Sequence, residues 1–173
     1  MIVYHGSNVV VQNPNIKYSE RNLDFGKGFY VTTVKEQAER WAKRKAILSK
    51  TSIAIVNEYE LKDFSNFIII TFDEIMTEWL DFVCSCRDGN DFYKNYDIIM
   101  GKVADDKVFR VVDMYKRGIW DKERALKEIK VYETFDQIAI ISQKVIDEIL
   151  CFKNSYKAEI WQKKKVKIFT ENI

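Results

Sequence analysis

The chain has 173 residues, a formal charge of +2 from 28 basic and 26 acidic side chains, 47% hydrophobic residues and 31% charged ones. This is length enough for one domain with its own core, and the balance excludes a disordered chain. So small a net charge gives no reason to expect nucleic acid or a membrane as partner.

Ile2-Val3-Tyr4 reads as a first strand ending at His5-Gly6. A loop-like region, residues 8 to 25, holds the single proline, Pro14. Gly28 to Val31 is a second strand, entered through a glycine turn. Thr33-Val34-Lys35-Glu36 forms a capping box that starts a helix, with Ala38, Trp41, Ala42 and Leu48 on one face. Residues 53 to 61 alternate as a half-buried strand with one polar exception, Asn57.

A second capping box, Thr71 to Glu74, is expected to open a helix with an apolar stripe of Phe72, Ile75, Met76, Trp79, Leu80 and Val83. Tyr96 to Met100 is a strand punctuated by Gly101, and Asp105 to Lys116 a helix stopped by Gly118. A charged helix, 121 to 130, precedes an apolar strand at Ile138 to Ile141 and a helix from Gln143 to Leu150. Lys157 to Trp161 reads as a last edge strand, followed by the basic run Lys163-Lys164-Lys165-Val166-Lys167. The expected organisation is an α+β domain over residues 1–161 and a basic tail over 162–173.

Cys84, Cys86 and Cys151 lack zinc-type spacing and are expected as free thiols. No apolar run reaches membrane-spanning length, and Phe67 to Ile70 is only strand-sized. The start of the chain lacks the features of a signal peptide, so a soluble cytoplasmic protein without membrane contact is expected.

The chain has one histidine, and it stands immediately before a glycine. A glycine admits a flat ligand to the backbone, and an imidazole offers a donor or acceptor to a sugar hydroxyl. For a lone His-Gly, a satisfied histidine at a strand end is the simpler reading. Gly26-Lys27-Gly28-Phe29-Tyr30 is neither a Walker loop nor a dinucleotide fingerprint. Asp105 fits a helix cap and Asp106 the helix dipole better than a metal site, because no histidine is left to join them. Arg87 is open to a phosphate contact or a helix cap. The basic tail reads as a solvated face or, less simply, a nucleic-acid contact.

Taken together, Tyr4-His5-Gly6-Ser7 and Gly26-Lys27-Gly28-Phe29-Tyr30-Val31-Thr32-Thr33 resemble the diphtheria-toxin and poly(ADP-ribose) polymerase branch of the ADP-ribosyltransferases. The wider pattern, with Trp79-Leu80, Tyr96-Asp97-Ile98-Ile99 and Ala104-Asp105-Asp106, is also similar to an uncharacterised bacterial domain family of that superfamily. The resemblance implies a split β-sandwich and NAD as substrate, with no metal. His5 would meet the adenosine ribose, the Gly6 backbone the nicotinamide amide, and Tyr30 the nicotinamide ring. Ser7 and Gly28 complete the motif, and Trp41, eleven positions after Tyr30, would be the second ring of a clamp or plain core packing. Ala38 stands where some relatives have a serine.

The third member of the family's His-Tyr-Glu triad begins a later strand, which here sets Gln137 in place of the glutamate. A glutamine still accepts a hydrogen bond from the ribose but brings no charge, a loss of about 2–4 kcal/mol in transition-state stabilisation. Asp136, beside it, is expected on the opposite strand face. The resemblance implies a mono-ADP-ribosyltransferase or NAD glycohydrolase with a His5, Tyr30, Gln137 triad, plausible as an intracellular toxin with a small antitoxin and a protein or nucleic-acid acceptor. The alternatives are an NAD- or ADP-ribose-binding module without turnover and a nucleic-acid-acting toxin.

Overall fold

A computed structural model describes residues 1–74, 77–103, 106–129 and 135–159. Within them the chain is α+β, built on two sheets. The first has the order β1 (Ile2–Ser7), β3 (Ile55–Leu61), β7 (Leu150–Lys157), all antiparallel. The second has the order β2 (Phe29–Val31), β6 (Phe135–Ile140), β5 (Ile98–Val103), β4 (Ile69–Phe72), with β4 parallel to β5. One bridge joins them, where Tyr4 and Thr32 exchange backbone hydrogen bonds of 2.8 and 3.0 Å. Beyond that bridge β1 and β2 diverge.

Strand alternation sorts the core. Phe29, Val31, Ile138 and Ile140 face Val3, Tyr59 and Leu61 of the first sheet, together with α5 (Gln143–Ile149). On the other face Tyr30, Ile99 and Ala139 pack with α2 (Thr77–Arg87), α3 (Asp106–Lys116) and α4 (Lys122–Ile129). Ala38, Ala42 and Ala46, one turn apart on α1 (Lys35–Leu48), lay that helix against Ala54 and Val56. Small side chains there let helix and sheet backbones approach closely. Among the described residues, no helix is long and apolar enough to cross a membrane.

Several expectations are corrected. Ile69 to Phe72 is strand β4, and the helix starts only at Thr77, because β-branched and aromatic residues here pair with β5. Ile75 and Met76 of the expected stripe lie outside the described residues. β5 runs past Gly101, whose missing Cβ leaves room for Phe25 and Phe72, each 3.0 Å from where it would stand. Tyr96 and Asp97 precede that strand, and an Asp97 carboxylate oxygen accepts the Ile68 N–H at 2.9 Å.

The helix cap at Thr33 does not form. Val34 occupies the N-cap, and the Thr32 hydroxyl accepts its N–H at 3.1 Å. Leu48 is 65% exposed and lies off the buried face, and Ile53 precedes β3 and is exposed. The last strand is Leu150–Lys157 rather than 157–161, so Leu150 opens β7 and does not close α5. Asp105 and the tail, 162–173, fall outside the described residues. Gly118, at φ +69°, ends α3 as expected.

Candidate functional site

A narrow cleft of about 10 Å³ opens where the two sheets diverge. It is lined by Tyr4 and Gly6 of β1, Tyr30, Val31 and Thr32 on β2, Gln37, Ala38 and Trp41 of α1, and Gln137 of β6. Gly6, Tyr30, Trp41 and Gln137, more than a hundred residues apart at the extremes, therefore meet at one place. His5, Ser7 and Gly28 do not line it. The cleft lies far below the usual 300–1,000 Å³ of small-molecule pockets and is about the size of one water molecule, so a ring enters only if its walls part.

The sheet register explains the meeting. Tyr30 pairs with Ala139, so Tyr30, Ala139 and Gln137 share one face of the second sheet. Asp136 points to the other face and pairs there with Lys102 at 2.7 Å, as alternation requires. Gln137 is 3% exposed and lines the cleft.

Thr32 ties the walls together. Its hydroxyl lies 2.8 Å from the Asp136 carbonyl and 3.0 Å from the Gln37 amide, and it accepts the Val34 N–H. The hydroxyl has a single proton. Both the Asp136 carbonyl and the Gln37 carbonyl oxygen stand within reach of that one proton. Gln37 and Gln137 thus both stand in the walls of one slot. Thr32 and Gln37 were not among the sequence candidates. The signal lay in the misplaced capping box: its chemistry is present but uses the preceding threonine and the following glutamine.

His5 spans the diverging strands. Its Nδ1–H donates to the Tyr30 carbonyl at 2.8 Å, since a carbonyl can only accept. The imidazole therefore presents an unprotonated Nε2. It stacks on Phe29, with ring centroids 4.5 Å apart. The ring is only half-buried at its surface but crowded by protein. That desolvation, opposed by the bond to Tyr30 and helped by Lys45, holds its pKa down to about 4. His5 is a neutral acceptor at physiological pH.

Tyr30 is anchored at its far end, donating its hydroxyl proton to the Gly26 carbonyl at 2.6 Å and accepting the Phe25 N–H at 3.2 Å. Burial, then the Asp24 charge, pushes its pKa well above 10. The phenol does no proton chemistry, and what it can give the cleft is a ring surface. Trp41 is half-buried against the same core and also lines the slot.

The glycines are explained by packing. A Cβ on Gly6 would stand 2.2 Å from the Ala38 carbonyl oxygen and 2.6 Å from the Ala42 nitrogen. One on Gly28 would stand 2.9 Å from the Ile140 carbonyl oxygen. Ser7 is buried, and its hydroxyl accepts the Val9 N–H at 3.4 Å. Asn57, the polar exception in β3, is fully buried and pins the loop after β1, accepting from Val11 N and donating to Val9 O.

Other candidates are spent elsewhere. Arg87 is taken up by Asp24, at 2.6 and 2.9 Å, and lies over Phe109, so it neither caps a helix nor stands free for a phosphate. Among the described residues, no cluster of His, Cys, Asp and Glu could hold a metal ion, and the three cysteines are free.

No match to the chain is found among curated proteins. The model of a family described as "Protein of unknown function (DUF3990)" matches residues 1–152, which include every lining residue of the cleft. The chain belongs to that family.

Proposed function

We propose that this DUF3990 chain takes NAD as substrate and acts as a weak mono-ADP-ribosyltransferase or NAD glycohydrolase. The observation that carries the reading is the meeting of Gly6, Tyr30, Trp41 and Gln137 at one slot, with Gln137 only 3% exposed. The nicotinamide ring would enter between Tyr30 and Trp41, with the Gly6 backbone at its carboxamide. The neutral Nε2 of His5 would accept from a ribose hydroxyl, and the Gln137 carbonyl from the nicotinamide ribose.

The bond that breaks joins the ribose C1′ to the nicotinamide nitrogen. Its electron pair leaves with nicotinamide and neutralises the pyridinium, which leaves C1′ as an oxocarbenium-like centre. An acceptor hydroxyl or water then forms the new C1′–O bond and loses its proton to solvent. Gln137 orients this event without offsetting the charge, so turnover is slow, by about 10²–10³ against a carboxylate. The intracellular toxin role, with a small antitoxin and a protein or nucleic-acid acceptor in the cytoplasm, rests on the family resemblance alone.

A second reading has its own observation: none of the nine lining residues carries a charge. Such a slot suits a module that holds NAD or ADP-ribose without turning it over.

Incubation with adenylate-labelled NAD separates the readings. Nicotinamide release that rises in Gln137→Glu and disappears in Trp41→Ala supports the enzyme. Saturable NAD binding without release, in both the native chain and Gln137→Glu, supports the binding module. If NAD is neither bound nor consumed, both readings fail.

A further inference from the structure

We propose that the outer edge of β4 is a docking strand for an extended, basic segment of a partner protein. The proposal does not depend on NAD chemistry. Three features of this edge converge on that occupant.

The first is backbone. β4 is hydrogen-bonded only to β5, so its outer row of N–H and C=O groups has no strand partner among the described residues. An open edge is a template for one more strand. The outer edge of β7 is open too, but it carries Lys153 and Lys157 with Asn154 and Ser155 between them, side chains that discourage pairing. β4 carries no such guard. It reads Ile69-Ile70-Thr71-Phe72, preceded by Ile68 at 61% exposed.

The second is shape. Ile70, Thr71, Phe72 and Trp79 line an open hollow of about 440 Å³ at the end of the strand, with room for a large apolar side chain.

The third is charge. Asp73, Glu74 and Glu78 ring that hollow, all exposed, and no ion pair engages them among the described residues. Carboxylates beside an unguarded edge repel nucleic acid and acidic peptides, and they select lysine or arginine on an incoming strand. The occupant is therefore an extended segment in which basic residues flank an apolar one. The register Phe72, Gly101, Gln137 puts the edge two strand spacings, about 10 Å, from Gln137. A bound segment would lie beside the cleft.

The full chain is panned against a phage-displayed library of random 12-residue peptides. A recovered peptide is then titrated by fluorescence polarisation against the native chain, Thr71→Lys and the triple variant Asp73→Asn, Glu74→Gln, Glu78→Gln. The expected winners alternate Lys or Arg with apolar residues, slow amide exchange at residues 69–72, and bind each variant at least about tenfold more weakly. Failure to enrich basic peptides overturns the proposal. So do winners that bind both variants as well as the native chain, protection confined to another strand, or stronger binding of single-stranded RNA at the same residues. Both variants change exposed side chains, and a circular dichroism melt matching the native one verifies that each is folded.

Discussion

The second sheet ends in two different ways. At its inner end, β2 meets β1 across the Tyr4–Thr32 bridge, and the residues that line the slot are all neutral. At its outer end, β4 leaves a backbone edge and three carboxylates without partners among the described residues. The inner end is crowded enough that a methyl group has no place to go. The outer end is open enough to accept a chain. One sheet thus ends in a closed slot on one side and an open backbone edge on the other, and close packing makes the difference.

Substitutions at the inner end should be costly, and the largest cost falls on Gly6. The clash in Gly6→Ala is with helix backbone, which cannot rotate away, so about 3 kcal/mol of stability should be lost. For a chain of this size that lowers the melting temperature by roughly 6–12 °C, readable by calorimetry. A melt within a degree of the native one would mean that α1 does not press on β1 as described.

His5 supplies a pH signature of the same crowding. The folded ring stays neutral down to about pH 4, whereas an unfolded histidine takes up a proton near 6.5. Between those values the unfolded chain binds more protons, so stability is complete above pH 6.5 and falls as the pH drops towards 4. The loss approaches about 3 kcal/mol at most, and partial solvent access reduces it. Urea midpoints at pH 7 and 4.5 should diverge in the native chain and draw together in His5→Gln. Parallel midpoints would place the imidazole in open water.

Thr32→Val keeps the shape of the hub and removes its hydroxyl. It strands the Asp136 carbonyl and the Val34 N–H and should cost about 1–3 kcal/mol, most of it recovered in Thr32→Ser. The matching change at the outer end, Thr71→Lys, should shift stability by less than about 0.5 kcal/mol. If Thr71→Lys proves as costly as Thr32→Val, the contrast between the two ends disappears.

Much of this was legible in the chain. The order of strands and helices, the inward face of Ala38 and Ala42, the opposed faces of Asp136 and Gln137, and the grouping of Gly6, Tyr30, Trp41 and Gln137 all follow from local pattern and motif. Periodicity reports which face of an element is apolar, and that is decided residue by residue. What local pattern could not report was competition between elements. Thr71 and Phe72 carried a good helix-start signal that lost to pairing with β5, a partner more than twenty residues away. Thr32, not Thr33, holds the Val34 N–H at the start of α1, and its hydroxyl also reaches the Asp136 carbonyl.

The sequence by itself determined the fold class and the opposed faces of Asp136 and Gln137, because alternation is a property of neighbouring residues. It set His5, Ser7 and Gly28 at a slot they do not line and missed Thr32 and Gln37. Only the tertiary structure decided that Gly6 answers to the backbone of α1, that Tyr30 is tied by its hydroxyl, that Gln37 joins Gln137, and that β4 ends the sheet unguarded. Each of those depends on two segments distant in the chain coming within a few ångströms, and spacing along the chain does not encode that distance.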